Sequence, residues 1–184
     1  MNNCPKHSAL GNFLWEKIME RIILIGCGCS GKSTLAAKLG EKLNLPVIHL
    51  DRLYWRSGWQ PVSKTEFREL LQTELEKPHW VMDGNFRSTI SQRLERCDTV
   101  IYLDMPRRTC MWGLVKRVCK YYGKSRPDMG ENCPERISLE FIKWVWNYNK
   151  ECRAENYAML EQAENKKIII LKSRKQVREF LQNL

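Results

Sequence analysis

Eight residues near the start of the chain, Gly26-Cys27-Gly28-Cys29-Ser30-Gly31-Lys32-Ser33, have the spacing G-x-x-x-x-G-K-[ST]. Glycines at these places let backbone N–H groups turn inward around anionic oxygens, and a helix opening at the lysine adds the favourable end of its dipole. Lys32 then reaches the β- and γ-phosphates of a nucleotide, and Ser33, followed by Thr34, offers a hydroxyl to Mg²⁺. The run reads as a phosphate site for ATP with Mg²⁺. Cys27 and Cys29 are small side chains beside a crowded backbone. A helix start and a neighbouring lysine also favour thiolate there, so oxidation is a second reading for them.

Two carboxylates stand at the ends of apolar runs. Asp83 closes Trp80-Val81-Met82-Asp83, where an acid suits the magnesium shell, with Asp104 as the alternative. Asp51 closes Val47-Ile48-His49-Leu50-Asp51. A carboxylate there can orient or deprotonate an acceptor hydroxyl, or it can cap the following helix. His49 reads as packing. Arg52, Tyr54, Trp55 and Trp59 read either as a wall stacking on an acceptor ring or as core aromatics. The N-K-x-D pattern that would select GTP is missing from the sequence.

Positioning these groups needs strands that end beside the glycine-rich turn. Residues 21–26 form a compact apolar, β-branched run, and 32–43 carry Leu35, Ala36, Leu39 and Leu43 at helical spacing. Further strands are predicted over 47–50, 80–82, 99–103 and 167–171. Helices are predicted over 64–77, 88–96, 107–122 and 135–163, with a last one opening at Ser173. Ser63 with Glu66, and Ser173 with Gln176, have the capping-box spacing. Residues 123–134 hold two Gly and two Pro and read as a loop. Five strands alternating with helices predict an α/β fold: three layers, a five-stranded parallel sheet with helices on both faces.

The chain has 184 residues, 43% hydrophobic and 28% charged, which excludes disordered and fibrous classes and fits one domain. Apolar runs are far shorter than the roughly 20 residues of a membrane span. Thirty-one Lys and Arg against 21 Asp and Glu give a net charge of +10. Seven of the basic residues fall between Arg107 and Arg126, where there is no acid. Such a balance suits polyanions or phosphorylated small molecules. The eight cysteines include no C-x-x-C pair and read as reduced thiols of a cytoplasmic protein. Residues 1–18 read as an N-terminal extension to a domain over 19–184, with Met19 as an alternative start.

Asp83-Gly84-Asn85-Phe86-Arg87 resembles the L-D-G-F-P-R stretch of adenylate kinases and other nucleoside monophosphate kinases, with Asn85 in place and no proline. The resemblance implies that Asp83 supports Mg²⁺ and that Arg87 grips the acceptor's phosphate. Asp51 is similarly placed to an acceptor-facing Asp of shikimate and gluconate kinases. In the adenylate-kinase-like group the segment after the fourth strand is a lid, which here implies a lid over about 107–136 with Arg117, Arg126 and Arg153 as phosphate-facing arginines. From Met19 onward the chain also resembles FlaR-like P-loop proteins, described as DNA topology modulation proteins. The matching segments include Leu45–Asp51, Leu103–Arg107 and Arg126–Met129.

The resulting expectation is a P-loop phosphotransferase with a helical lid, moving the ATP γ-phosphoryl group to a small nucleotide or hydroxylated acceptor. Two alternatives stand beside it: an ATP-dependent DNA-binding or topology-modulating protein, and a nucleotide-binding switch without transfer.

Overall fold

Strand β1 (Arg21–Gly26) is buried at every residue after Arg21, as an inner strand with neighbours on both edges and helices on both faces must be. Its pleat sends Ile22 and Leu24 into one core cluster and Ile23 and Ile25 into another. Each of these side chains contributes about 1.5–3 kcal/mol by leaving water. The computed structural model describes residues 19–163 and 165–184; the proposed extension 1–18 lies outside the described residues.

From β1 the chain runs through α1 (Lys32–Leu43), β2 (Val47–His49), α2 (Leu50–Tyr54), β3 (Trp55–Arg56), β4 (Gln60–Pro61), α3 (Lys64–Leu75) and β5 (Trp80–Asp83). A 3₁₀ turn over Arg87–Thr89 leads into α4 (Ile90–Arg96), β6 (Thr99–Leu103), α5 (Arg107–Tyr121), α6 (Leu139–Glu151), α7 (Arg153–Glu161), β7 (Lys167–Leu171) and α8 (Arg174–Gln182). The main sheet has the order β2-β5-β1-β6-β7, and all its pairs are parallel. Helices α1, α5, α6 and α8 cover one face through Leu39, Cys110, Val145 and Leu181. On the other face α2, α3 and α7 pack through Leu50, Phe67, Leu71 and Leu160. The expected three-layer α/β fold is present.

Both predicted N-caps form, with the Ser63 hydroxyl accepting from Glu66 N and Ser173 from Gln176 N. The single helix predicted over 135–163 is instead two. Residues 122–138 are a loop pinned to itself by Gly123 N donating to Glu135 O (3.0 Å) and Glu135 N to Lys124 O (2.9 Å). Helix α6 begins only after Ser138, whose hydroxyl accepts from Phe141 N. The chain turns again at Cys152 because α6 packs on one face of the sheet and α7 on the other. A straight helix cannot reach both.

The sequence reading also passed over a two-stranded hairpin, β3–β4, whose turn puts Gly58 and Trp59 at φ 75° and 63°. It is docked on the loop 122–138. Gly58 N donates to Asn132 O (3.0 Å), Trp59 Nε1 to Pro134 O (3.0 Å), and Cys133 Sγ to Arg56 O (3.3 Å).

Candidate active site

Strand β1 lies at the centre of the sheet, and its crossover passes β5 to reach β2 at the edge. Strand order therefore reverses beside β1, the place where open α/β sheets hold ligands at the carboxyl ends of their strands. The glycine-rich turn occupies it. Gly26 has φ 142°, and a Cβ on it would stand 2.6 Å from Leu103 O, so only glycine lets β1 end against β6 and swing away. Gly26 N donates to Asn85 Oδ1 (3.2 Å), which ties the turn to the end of β5. A Cβ on Gly28 would stand 2.8 Å from both Phe141 and Trp144 of α6. Below the turn Lys32 is nearly buried and donates to Gly26 O and Cys27 O, each at 2.9 Å.

Asp83 ends β5 beside this lysine and is 6% exposed. Its Oδ2 lies 3.3 Å from His49 Nδ1. Burial alone would raise its pKa, but the bond from His49, the charge of Lys32 and the Ser33 hydroxyl together hold it below the usual carboxylate range. The carboxyl is thus ionised, and its Oδ1 is buried without a hydrogen-bond partner. A hydroxyl and an ionised carboxylate with an orphaned oxygen are hard donors that fit Mg²⁺. His49, taken as packing in the sequence, is a direct partner of this group. Asp104, the alternative acid, is already engaged by Arg153 Nη2 (2.8 Å) and the Tyr157 hydroxyl (2.9 Å).

These groups open on a cavity of ≈1040 Å³, lined among others by Gly28, Cys29, Gly31, Lys32, Ser33 and Thr34. That volume exceeds a usual single-ligand pocket and accommodates a nucleotide and a second small molecule. Ser30 Oγ is buried behind the turn and has no partner. Asp51 lines the same cavity, together with Trp55, Trp59 and Phe86. Burial first, then the nearby Asp83 charge, pushes its pKa up to about 6, against the pull of Arg126 and Lys32. The aromatics are not free: Trp55 and Trp59 meet edge-on at 5.5 Å, and Arg136 lies 5.2 Å over the Trp59 ring.

Two of the sequence-predicted arginines line the cavity, Arg117 from α5 and Arg126 from the loop 122–138. Lys116 and Lys120 line it too, so four of the seven cations between 107 and 126 belong to this space. Arg87 does not. It lies on the surface, paired with Glu155 of α7 and 3.8 Å from Cys152 Sγ. Arg153 likewise turns to Asp104, with half its side chain exposed. The arginine that supports the Asp83-Gly84-Asn85 turn is Arg93, fully buried and donating to the carbonyls of Gly84, Asn85 and Phe86. Burial lowers its pKa to about 10. Sequence reasoning also missed Arg174, whose guanidinium lies against Gly31 at the mouth of the cavity. Its signal was available: it opens a capped helix straight after the last strand, at the carboxyl end of the same parallel sheet as the glycine turn.

No family model and no curated protein matches the chain. Among solved structures it is similar to a shikimate kinase from Acinetobacter baumannii in complex with shikimate, at TM-score 0.56 and 17% identity over 93% of each chain. It is similar also to a gluconokinase from Sinorhizobium meliloti, at TM-score 0.55 and 13% identity over 90% of this chain and 89% of that one. A shikimate kinase from Bacteroides thetaiotaomicron gives TM-score 0.51 and 20% identity over 89% and 94%. The chain has the fold of these P-loop kinases. Among the described residues no helix is long and apolar enough to cross a membrane.

Proposed function

We propose that the chain is an ATP-dependent phosphotransferase acting on a small acceptor. The observation that carries this reading is that Asp51, with its carboxyl raised to about 6, faces the same cavity as Lys32 and the glycine-rich turn. A switch that only binds nucleotide has no use for a second carboxylate in that cavity. The nucleic-acid reading is less favoured, because Arg117 and Arg126 of the basic stretch face the cavity.

In this mechanism the backbone N–H groups of the turn after Gly26 and the Lys32 ammonium hold the triphosphate. Ser33 and Asp83 are the residues that would hold Mg²⁺, which would offset charge on the β- and γ-phosphates. Asp51 accepts the proton of an acceptor hydroxyl as its oxygen bonds the γ-phosphorus. The bond from that phosphorus to the bridging oxygen breaks, leaving ADP. Above pH 6 Asp51 is ionised and ready for this role while still close enough to neutrality to take a proton. Arg117 and Arg126, on a lid over about 107–136, neutralise the charge spread over the moving group. Trp55, Trp59 and Phe86 form the acceptor wall.

The test is transfer from Mg·ATP to a panel of nucleosides, nucleoside monophosphates and hydroxylated metabolites, read by mass spectrometry with Lys32→Ala as blank. An acceptor that gains a phosphoryl group only with the intact lysine is the expected result. Nucleotide binding with no transfer to any acceptor and no effect of Asp51→Asn would refute it.

A further inference from the structure

Both lid arginines point at one carboxylate. Arg117 Nη2 donates to Glu135 Oε1 at 2.9 Å, and Arg126 Nε lies 3.0 Å from Glu135 Oε2. The Glu135 side chain is only 3% exposed, yet the residue lines the cavity. The two contacts differ in kind. The first is an aligned hydrogen bond. In the second, Arg126 Nε and Glu135 Oε2 are close but have no aligned hydrogen-bond partner, so that contact is ionic alone. The other end of the Arg126 guanidinium is held by Asp128 at 2.8 Å.

The setting explains why a carboxylate is needed there. The Cys29 thiol in the glycine-rich turn lies within reach of Arg117, Lys32 and Arg126 at once. Three cations act electrostatically on one residue, and like charges so gathered repel one another unless a carboxylate stands between them. Glu135 is fixed from both sides. Its own N–H and C=O are bonded to Lys124 and Gly123, and its neighbour Pro134 accepts from Trp59. Arg117 is further stacked on Phe141, 4.6 Å from the ring, and Phe141 abuts Gly28. A chain of contacts thus runs from the phosphate turn through Phe141 and Arg117 to Glu135 and Arg126.

We propose that Glu135 is a positioning residue that holds Arg117 and Arg126 as a prearranged pair aimed into the cavity. The pair then meets the transferring phosphoryl group with no reorganisation, which is where fixed charges gain over mobile ones. This rests on the phosphotransferase reading above. Glu135 touches neither ligand; it acts through the arginines.

The experiment compares binding of Mg·ADP alone with Mg·ADP plus aluminium fluoride, a mimic of the phosphoryl group in flight, by calorimetry on the full chain. Glu135→Gln is expected to weaken the fluoride complex by about 10–100-fold, as loss of a supporting partner commonly does, while ADP affinity changes less than about threefold. Glu135→Asp, which keeps the charge and shortens its reach, recovers part of the loss. In an Arg117→Gln, Arg126→Gln background, adding Glu135→Gln changes the ratio no further. An unchanged ratio in the single variant, or an equal loss in the arginine-free background, overturns the proposal. If Glu135→Gln melts below the assay temperature, Glu135→Asp carries the same test. A parent protein that binds Mg·ADP no better than Lys32→Ala overturns the phosphotransferase reading itself, an outcome separate from any effect at Glu135.

Discussion

Replacing Asp51 by asparagine is expected to stabilise the protein while removing its chemistry. Raising a carboxyl from an ordinary 3.8 to about 6 makes ionisation in the folded chain harder by about 3 kcal/mol. The sign follows from linkage: the Asp51 contribution is fully present below pH 3.8 and is lost as pH rises through 6. Asparagine has the same shape and never ionises, so it escapes that loss. The variant therefore gains about 1 kcal/mol over the parent at pH 4.5 and about 3 kcal/mol at pH 8. For a chain of this size the larger gain raises the melting temperature by about 6–12 °C. Urea unfolding of both proteins across that pH range, without nucleotide, measures it directly. Titrating groups remote from Asp51 cancel in the difference. Over the same range the parent's kcat/KM rises with pH to a plateau, with a midpoint near 6. The variant's transfer rate falls by about 10²–10⁴. A stability difference that is absent, or the same at both ends of the range, refutes the placement of Asp51 in a buried, acid-crowded corner.

Three further outcomes are expected. Arg87→Ala leaves transfer within twofold and costs at most about 1 kcal/mol, because its partner Glu155 is a surface residue; a large kinetic loss would return Arg87 to the site. Gly113→Val drives a side chain into Cys29 O, which a Cβ at 113 would already meet; stability drops by about 1–3 kcal/mol, and ADP affinity measured by calorimetry falls with it. His49→Ala takes a partner from Asp83, so the Mg²⁺ dependence of nucleotide binding weakens by about 10–100-fold while metal-free binding is unchanged.

The features that the sequence displayed were those decided locally. The glycine-rich turn, the strand before it and the helix after it are neighbours in the chain, so one spacing carries all three. The caps at Ser63 and Ser173 depend on residues three positions away. Less visible were features decided by packing across the sheet. No glycine or proline marks Cys152, and the apolar pattern continues through it; only the change of face between Val145 and Leu160 forces the break. The hairpin at 55–61 has two residues per strand and is held by the loop it docks on, not by its own pattern. Arg87 has the spacing of the adenylate-kinase-like stretch but lies on the surface, whereas Arg93 fills the buried position because the turn after Asp83 presents three carbonyls to α4. Glu135 read as the first residue of a helix, and its role depends on two arginines brought to it from 18 and 9 positions away.

The bonds from Gly58 and Trp59 to Asn132 and Pro134 join the wall that carries Trp55 and Trp59 to the loop that carries Arg126. Two molecules in the cavity would therefore press on one connected piece of chain. Linkage then requires reciprocity: whatever factor the nucleotide adds to the affinity for the second molecule, that molecule adds to the affinity for the nucleotide.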